Sequence, residues 1–179
     1  LLQDLCQKIP GDYAEVRVHE GGSTSVVYSG QQLEDIGERT GLGGSVRVLK
    51  GGGWGFTTFN DLDQIEKFAR LALQQAELVQ AEPVELADVE PRQDVYRSTP
   101  GTDPAQVSLA DKQALCEGYN RRILEGNRIR TSSVRYRDSR TTRYYANSEG
   151  TYLEQEYGFC GIMLAAIAVD GQNVQQAYQ

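Results

Sequence analysis

The sequence predicts an α+β fold in which antiparallel strand meanders pack with two main helices. Three observations predict it. Period-two alternation recurs in the first and last thirds of the chain, as in Ala14, Val16 and Val18 against Glu15, Arg17 and His19. Glycine and Asx-Gly breaks separate those runs. Two stretches, starting near Leu62 and Ser108, carry apolar residues at helical spacing or a helix start signal.

The elements follow in order. Leu1 to Ile9 reads as the end of a helix with Leu2, Leu5, Cys6 and Ile9 on one face, closed by Pro10-Gly11. Tyr13 to Glu20 is a strand, Gly21-Gly22 a turn, and Ser23 to Ser29 a second strand. After Gly30, Leu33 to Thr40 is a third, more polar strand. The stretch from Leu42 to Asp63 organises this half. Ser45 to Leu49 alternates, Gly51-Gly52-Gly53 reverse the chain, and Trp54 to Phe59 is an aromatic, β-branched strand. Asn60 or Asp61 then caps a helix whose stripe is Leu62, Ile65, Ala69, Ala72, Ala76 and Val79. The glycines do not form a phosphate loop: Lys50 precedes them and a strand, not a helix, follows.

Residues 80–104 hold Pro83, Pro91, Pro100 and Pro104, are acidic at first and lack periodicity, which predicts an extended connector. Ser108 to Asp111 resembles a capping box, and its helix should run to about Leu124 and stop at Gly126. Strands are expected at Ile129 to Arg137, Arg140 to Ala146, Thr151 to Tyr157 and Phe159 to Val169. Asn147 to Gly150 is a turn, and Asp170-Gly171 leads a hairpin into Gln172 to Gln179. The expected organisation is an N-terminal α+β lobe over 1–80, a proline-containing connector over 81–107, and a helix with a second meander over 108–179.

Composition narrows function by exclusion. A net charge of −7 argues against general binding to nucleic acid or acidic membranes. The longest apolar run, Ile162 to Val169, is strand length, and the opening residues do not read as a signal peptide, so no membrane or secretory segment is expected. Cys6, Cys116 and Cys160 are odd in number and widely spaced, so they form neither a disulfide framework nor a metal knuckle, and a reducing cytoplasm is expected. The chain opens at Leu1 and stops at Tyr178-Gln179 in apparent strand, so a fragment of a longer protein is expected.

The inventory for chemistry is thin. His19 is the only histidine, and nothing at supporting spacing completes a zinc site with it and Glu20. Paired carboxylates occur at Glu34-Asp35 and at Glu154 with Glu156, where i and i+2 share a strand face. Solvated strand charges account for both. Tyr136, Tyr144, Tyr145, Tyr152 and Tyr157 crowd the second meander and suit either a groove or packing on a sheet.

An ordered set of motifs resembles one family. Tyr13-Ala14-Glu15-Val16-Arg17, Val46-Arg47-Val48-Leu49, Gly52-Gly53-Trp54-Gly55-Phe56, Asn60-Asp61-Leu62 and Asn147-Ser148-Glu149-Gly150-Thr151 follow in the order seen in the N-terminal half of TldD/PmbA proteins, also labelled modulators of DNA gyrase. The Arg47 to Leu62 portion is more like the TldD branch. The resemblance implies a cytoplasmic zinc metallopeptidase of unfolded peptides that works as a homodimer or with a PmbA-type partner subunit. It further implies that zinc belongs to the full-length protein, bound in a C-terminal domain; the acidic charge and the short apolar runs, not the resemblance, lead to the expectation of no nucleic-acid and no membrane partner. The family's HExxxD or HExxxH motif is not in this chain, so the resemblance carries over no catalytic, cofactor-binding or metal-binding residue, and the stretch alone is expected to be inactive. A non-catalytic scaffold or partner subunit is the alternative.

Overall fold

The computed structural model of the chain describes residues 1–79, 81–99 and 101–179. Gln80 and Pro100, both assigned above to the connector region, lie outside the described residues. The elements are α1 (Leu2–Lys8), β1 (Tyr13–Ser29), β2 (Gln32–Lys50), β3 (Gly53–Phe59), α2 (Ile65–Leu78), β4 (Gln93–Tyr96), α3 (Leu109–Leu124), β5 (Ile129–Asn147), β6 (Tyr152–Asp170) and β7 (Asn173–Tyr178). Short 3-10 turns occupy Leu62–Gln64 and Pro104–Gln106. The fold is α+β, as the alternation and helical stripes predict.

Two compact units form, and neither is contiguous. The first takes Leu1–Gly21, Gly41–Ser98 and Thr141–Tyr157; the second takes Gly22–Thr40, Thr99–Arg140 and Gly158–Gln179. This differs from the lobes 1–80 and 108–179 expected above. The cause is strand length: β1 has 17 residues and β2, β5 and β6 have 19 each, so every one gives residues to both units.

The expected strand breaks explain the difference. The turn expected at Gly21-Gly22 and the gaps expected between Arg137 and Arg140 and at Gly158 each lie inside a continuous strand. Left-handed backbone is what a tight glycine turn needs. Among the described glycines it occurs only at Gly30, Gly51, Gly52, Gly150 and Gly171. Those five mark the hairpin ends, while Gly21, Gly22 and Gly158 stay out of that region and the strands run on.

In the first unit the sheet order is β3-β2-β1-β5-β6-β4. β3 pairs antiparallel with β2, from Gly44 opposite Phe59 to Lys50 opposite Gly53. β4, a strand inside the expected connector, pairs with β6 in parallel, Gln93 opposite Tyr152. Helix α2 buries Ile65, Ala69, Ala72 and Ala76 of the predicted stripe against Val16, Val46, Val48 and Phe59, whereas Leu62 falls in the preceding 3-10 turn and Val79, the C-cap, is exposed. Its small residues allow a very close approach to β3. A Cβ on Gly53 or Gly55 would collide with the carbonyls of Ala76 and Ala72 respectively. Thr57 donates to the Phe68 carbonyl at 2.9 Å and the Phe56 N–H donates to Gln75 Oε1 at 3.1 Å, closing part of the β3 edge.

In the second unit the order is β2-β1-β5-β6, with β7 pairing β6 antiparallel. Helix α3 is capped by Ser108, whose Oγ accepts from the Asp111 N–H at 3.1 Å and donates to the Asp111 carboxylate at 2.6 Å. The helix ends at Leu124 as expected, although the left-handed residue is Arg128 rather than Gly126. Cys116 packs with Val26, Tyr28, Val134 and Tyr136. Lys112 and Asp138 form a buried ion pair at 2.7 Å; Lys112 also donates to Thr24 at 2.9 Å and Tyr136 to Asp138 at 2.6 Å.

Two outcomes follow. Gly55→Ala should destabilise the chain by about 2–3 kcal/mol, because the collision is with backbone. Gly41→Ala, where a Cβ meets nothing within 4 Å, should be neutral or slightly stabilising in the same urea titration. Lys112→Met should cost about 3–5 kcal/mol by leaving the Asp138 carboxylate buried without its cation, and pairing it with Asp138→Leu should recover much of that in a double-mutant cycle.

Candidate functional site

The face of the first unit's sheet opposite α2 carries the site. On β1, Val16 and Val18 point toward α2, so Tyr13, Glu15 and Arg17 point away. The β2–β3 register puts Arg47 and Leu49 with Trp54 and Phe56 on that same side. β5 adds Tyr145 and Asn147, and the extended stretch from Leu86 to Arg92 forms the other wall. The result is a groove of about 440 Å³ with a largely aromatic floor.

Glu15 is the polar centre of the floor. It is 8 % exposed, although the alternation alone places it outward. Tyr13 Oη donates to Glu15 Oε2 at 2.9 Å and lies 2.9 Å from Tyr145 Oη, while Tyr145 Oη reaches the same carboxylate oxygen at 3.4 Å. Arg17 closes the other side, 3.3 Å from Glu15 Oε1 and 5.3 Å from the Tyr145 ring centroid. Burial, and then the bond with Tyr145, push the Tyr13 phenol well above its ordinary value, so it stays a proton donor. Arg47 lies over the Trp54 ring at 3.9 Å, and Trp54 meets the Tyr13 ring edge-on at 6.1 Å. A planar or extended ligand would find aromatic faces, guanidinium donors and a fixed carboxylate here.

The turn after β5 fixes the groove's far end. The Asn147 Oδ1 accepts from the Thr151 N–H at 2.8 Å, and Gly150 takes φ 99°. Ser148 docks on β1 twice: its N–H donates to the Ala14 carbonyl at 2.8 Å, and its Oγ accepts from the Ala14 N–H at 3.0 Å. This gives the Asn-Ser-Glu-Gly order a physical reason at each of three positions.

Apart from Tyr145, the residues singled out from sequence for chemistry fall elsewhere. His19 is exposed, and its basicity is lowered by partial burial and by Arg143 and Arg17 nearby. Glu20 accepts from Tyr144 Oη at 2.6 Å. Among the described residues, no three His, Cys, Asp or Glu side chains converge as cation ligands, so no step through zinc is derived from them. Glu154 and Glu156 do share a face, but Arg97 bridges them at 2.8 and 3.6 Å. Asp35 accepts from Ser25 Oγ at 2.7 Å. Of the five tyrosines, Tyr145 lines the groove, Tyr144 and Tyr152 line a second pocket beside Leu62, Tyr157 stacks under Arg143, and Tyr136 sits in the second unit's core. The groove itself was missed, yet a signal existed: Tyr13, Glu15 and Arg17 form a polar-aromatic i, i+2 series facing away from the valines.

Two family models match the chain in succession. PmbA/TldA metallopeptidase domain 1 matches residues 14–76, and the PmbA/TldA metallopeptidase central domain matches residues 102–179. The chain belongs to the TldD/PmbA metallopeptidase family. A metalloprotease of Synechocystis is 39 % identical over 167 residues, covering 92 % of this chain and 36 % of the relative. One from Methanocaldococcus jannaschii is 28 % identical over 170 residues, covering 92 % of this chain and 38 % of the relative. Among solved structures, a protein described as a modulator of DNA gyrase from Bacteroides thetaiotaomicron superposes with a TM-score of 0.76 at 19 % identity, covering 98 % of this chain and 42 % of that one. TldE from Thermococcus kodakarensis gives 0.76 at 17 % identity, covering 94 % and 39 %. These two show the fold. The TldD/PmbA chain described here thus spans under two fifths of the curated relatives it matches.

Tyr13→Phe should lower stability by about 1–2 kcal/mol at pH 8 by removing the hydroxyl from Glu15 and Tyr145. A phenol whose folded value is raised stabilises fully below its unfolded value and loses that contribution as pH rises through the folded one. The gap between wild type and Tyr13→Phe should therefore narrow by about 1 kcal/mol between pH 8 and pH 11, read from urea midpoints.

Proposed function

We propose that this chain is the substrate-cleft and dimerisation part of a TldD-like zinc metallopeptidase acting on unfolded peptides, with the catalytic zinc in polypeptide outside residues 1–179. The family match, with curated relatives named metalloproteases of which this chain spans 36–38 %, carries the reading. The aromatic groove suits it physically. An extended peptide offers alternating side chains and free backbone polar groups, and a groove with aromatic faces and fixed donors holds such a chain with little sequence demand. The partner is a second copy or a PmbA-type subunit.

The compartment in this reading is the cytoplasm. Cys6 and Cys116 are buried free thiols and Cys160 is an exposed one, an arrangement suited to a reducing environment. No described helix is long and apolar enough to cross a membrane.

The test compares this chain with the full-length protein for bound zinc and for cleavage of an unfolded peptide. Zinc and cleavage confined to the longer protein are expected. Stoichiometric zinc held by residues 1–179 alone would refute the division of labour. A longer protein with neither metal nor cleavage would make this a non-catalytic peptide-binding or partner subunit.

A further inference from the structure

The hairpin of β6 and β7 differs chemically from the rest of the chain. Residues 158–179 contain one charged side chain, Asp170, whereas 24 % of the whole sequence is charged. That charge is already engaged, 2.9 Å from Arg128. The hairpin is nonetheless at the surface of its unit, and all six residues of β7 are exposed.

The two edge strands of the second unit make the contrast explicit. The β2 residues from Gln32 to Thr40 include Glu34, Asp35, Glu38 and Arg39. Such charges keep a free edge solvated and discourage strand pairing. β7 has no charge and no proline, and among the described strands it pairs only with β6. Its outer row of backbone N–H and C=O groups is therefore open and unguarded.

The face of the hairpin tells the same story. Ile162 and Leu164 point into the core under α3, so the odd-numbered β6 residues point away from it. The register places Val169 opposite Val174 and Ala165 opposite Tyr178 on that outer side. Phe159, Met163, Val174 and Tyr178 are 58, 59, 60 and 70 % exposed. On β5 the same side carries Arg135 and Arg137, so the apolar strip is confined to β6 and β7.

We infer that this uncharged face and edge are covered, in the full-length protein, by polypeptide of the same chain lying outside residues 1–179. The curated relatives carry more than half of their length outside the matched stretch, which supplies such a segment. A tethered segment meets the strip at high effective concentration. Permanent contacts of this kind are the apolar ones, whereas a transient ligand would leave the strip bare for most of the time. The inference rests on the reading that this chain is part of a longer metallopeptidase.

The test uses the full-length protein. Hydrogen exchange on the unmodified protein should show the outward amides of β7 protected. In a Cys160→Ser background, Val174→Cys and, separately, Met163→Cys should react with a thiol reagent about a hundredfold more slowly when native than when unfolded in urea. Fast exchange in β7 together with native labelling at the unfolded rate would overturn the inference. Protection that disappears on dilution, in step with dissociation of a dimer, would overturn it in favour of a second copy as the cover. Because these readouts need neither zinc nor turnover, a protected hairpin in an inactive, metal-free protein would sink the proposed function and leave this inference standing.

Discussion

The structure depends on the length of four strands, 17 to 19 residues each. β1, β2, β5 and β6 each supply residues to both compact units. Everything else is fitted to these strands. The alanine stripe of α2 and the glycines of β3 let one helix settle directly on backbone in the first unit. In the second, α3 brings a lysine down onto a strand aspartate and neutralises it there. The two units thus meet the same demand, a helix covering one sheet face, with different chemistry: small apolar residues at close range in one, a satisfied ion pair in the other.

The groove is a product of the opposite face. A strand buried on one side only would alternate apolar and solvated residues. β1 departs from that pattern because Tyr13 and Glu15 are buried on the side facing away from the helix. The cover there is irregular chain, Leu86 to Arg92, anchored where β4 pairs with β6. A loose cover leaves space over a buried carboxylate, Glu15, whose own partners are already in place. Such a lining is pre-organised: Glu15 is held by two phenols and an arginine before any ligand arrives.

Local patterns made the strands and helices legible. The stripe Ile65, Ala69, Ala72 and Ala76, the cap at Ser108 and the turns at Gly51-Gly52, Gly150 and Asp170-Gly171 are all short-range features, and the structure contains each of them. The long-range arrangement was not legible. Gly21-Gly22 and Gly158 carry the composition of turns, and composition does not report φ. These sites are informative in another way, since the chain passes between units at Gly21 to Gly22 and at Tyr157 to Gly158. The breaks in the pattern were real, but they marked a change of unit rather than a reversal. The groove escaped for a related reason: its wall comes from proline-rich chain without periodicity, where a residue's position follows from pairing with β6 and not from its own neighbours.

The double link between Ser148 and Ala14 has a consequence for how the protein is made. It joins positions separated by 134 residues, and the first unit as a whole needs Thr141–Tyr157 as well as its opening segment. A nascent chain therefore carries β1, β2, β3 and α2 without the strand that completes their sheet until Thr141–Tyr157 has been made. Contacts of such sequence separation form late, and the unpaired side of β1 stays open to other strands in the meantime. The order of translation thus leaves these early elements waiting on β5 and β6, a period in which a chaperone that shields strand edges would have the most to protect.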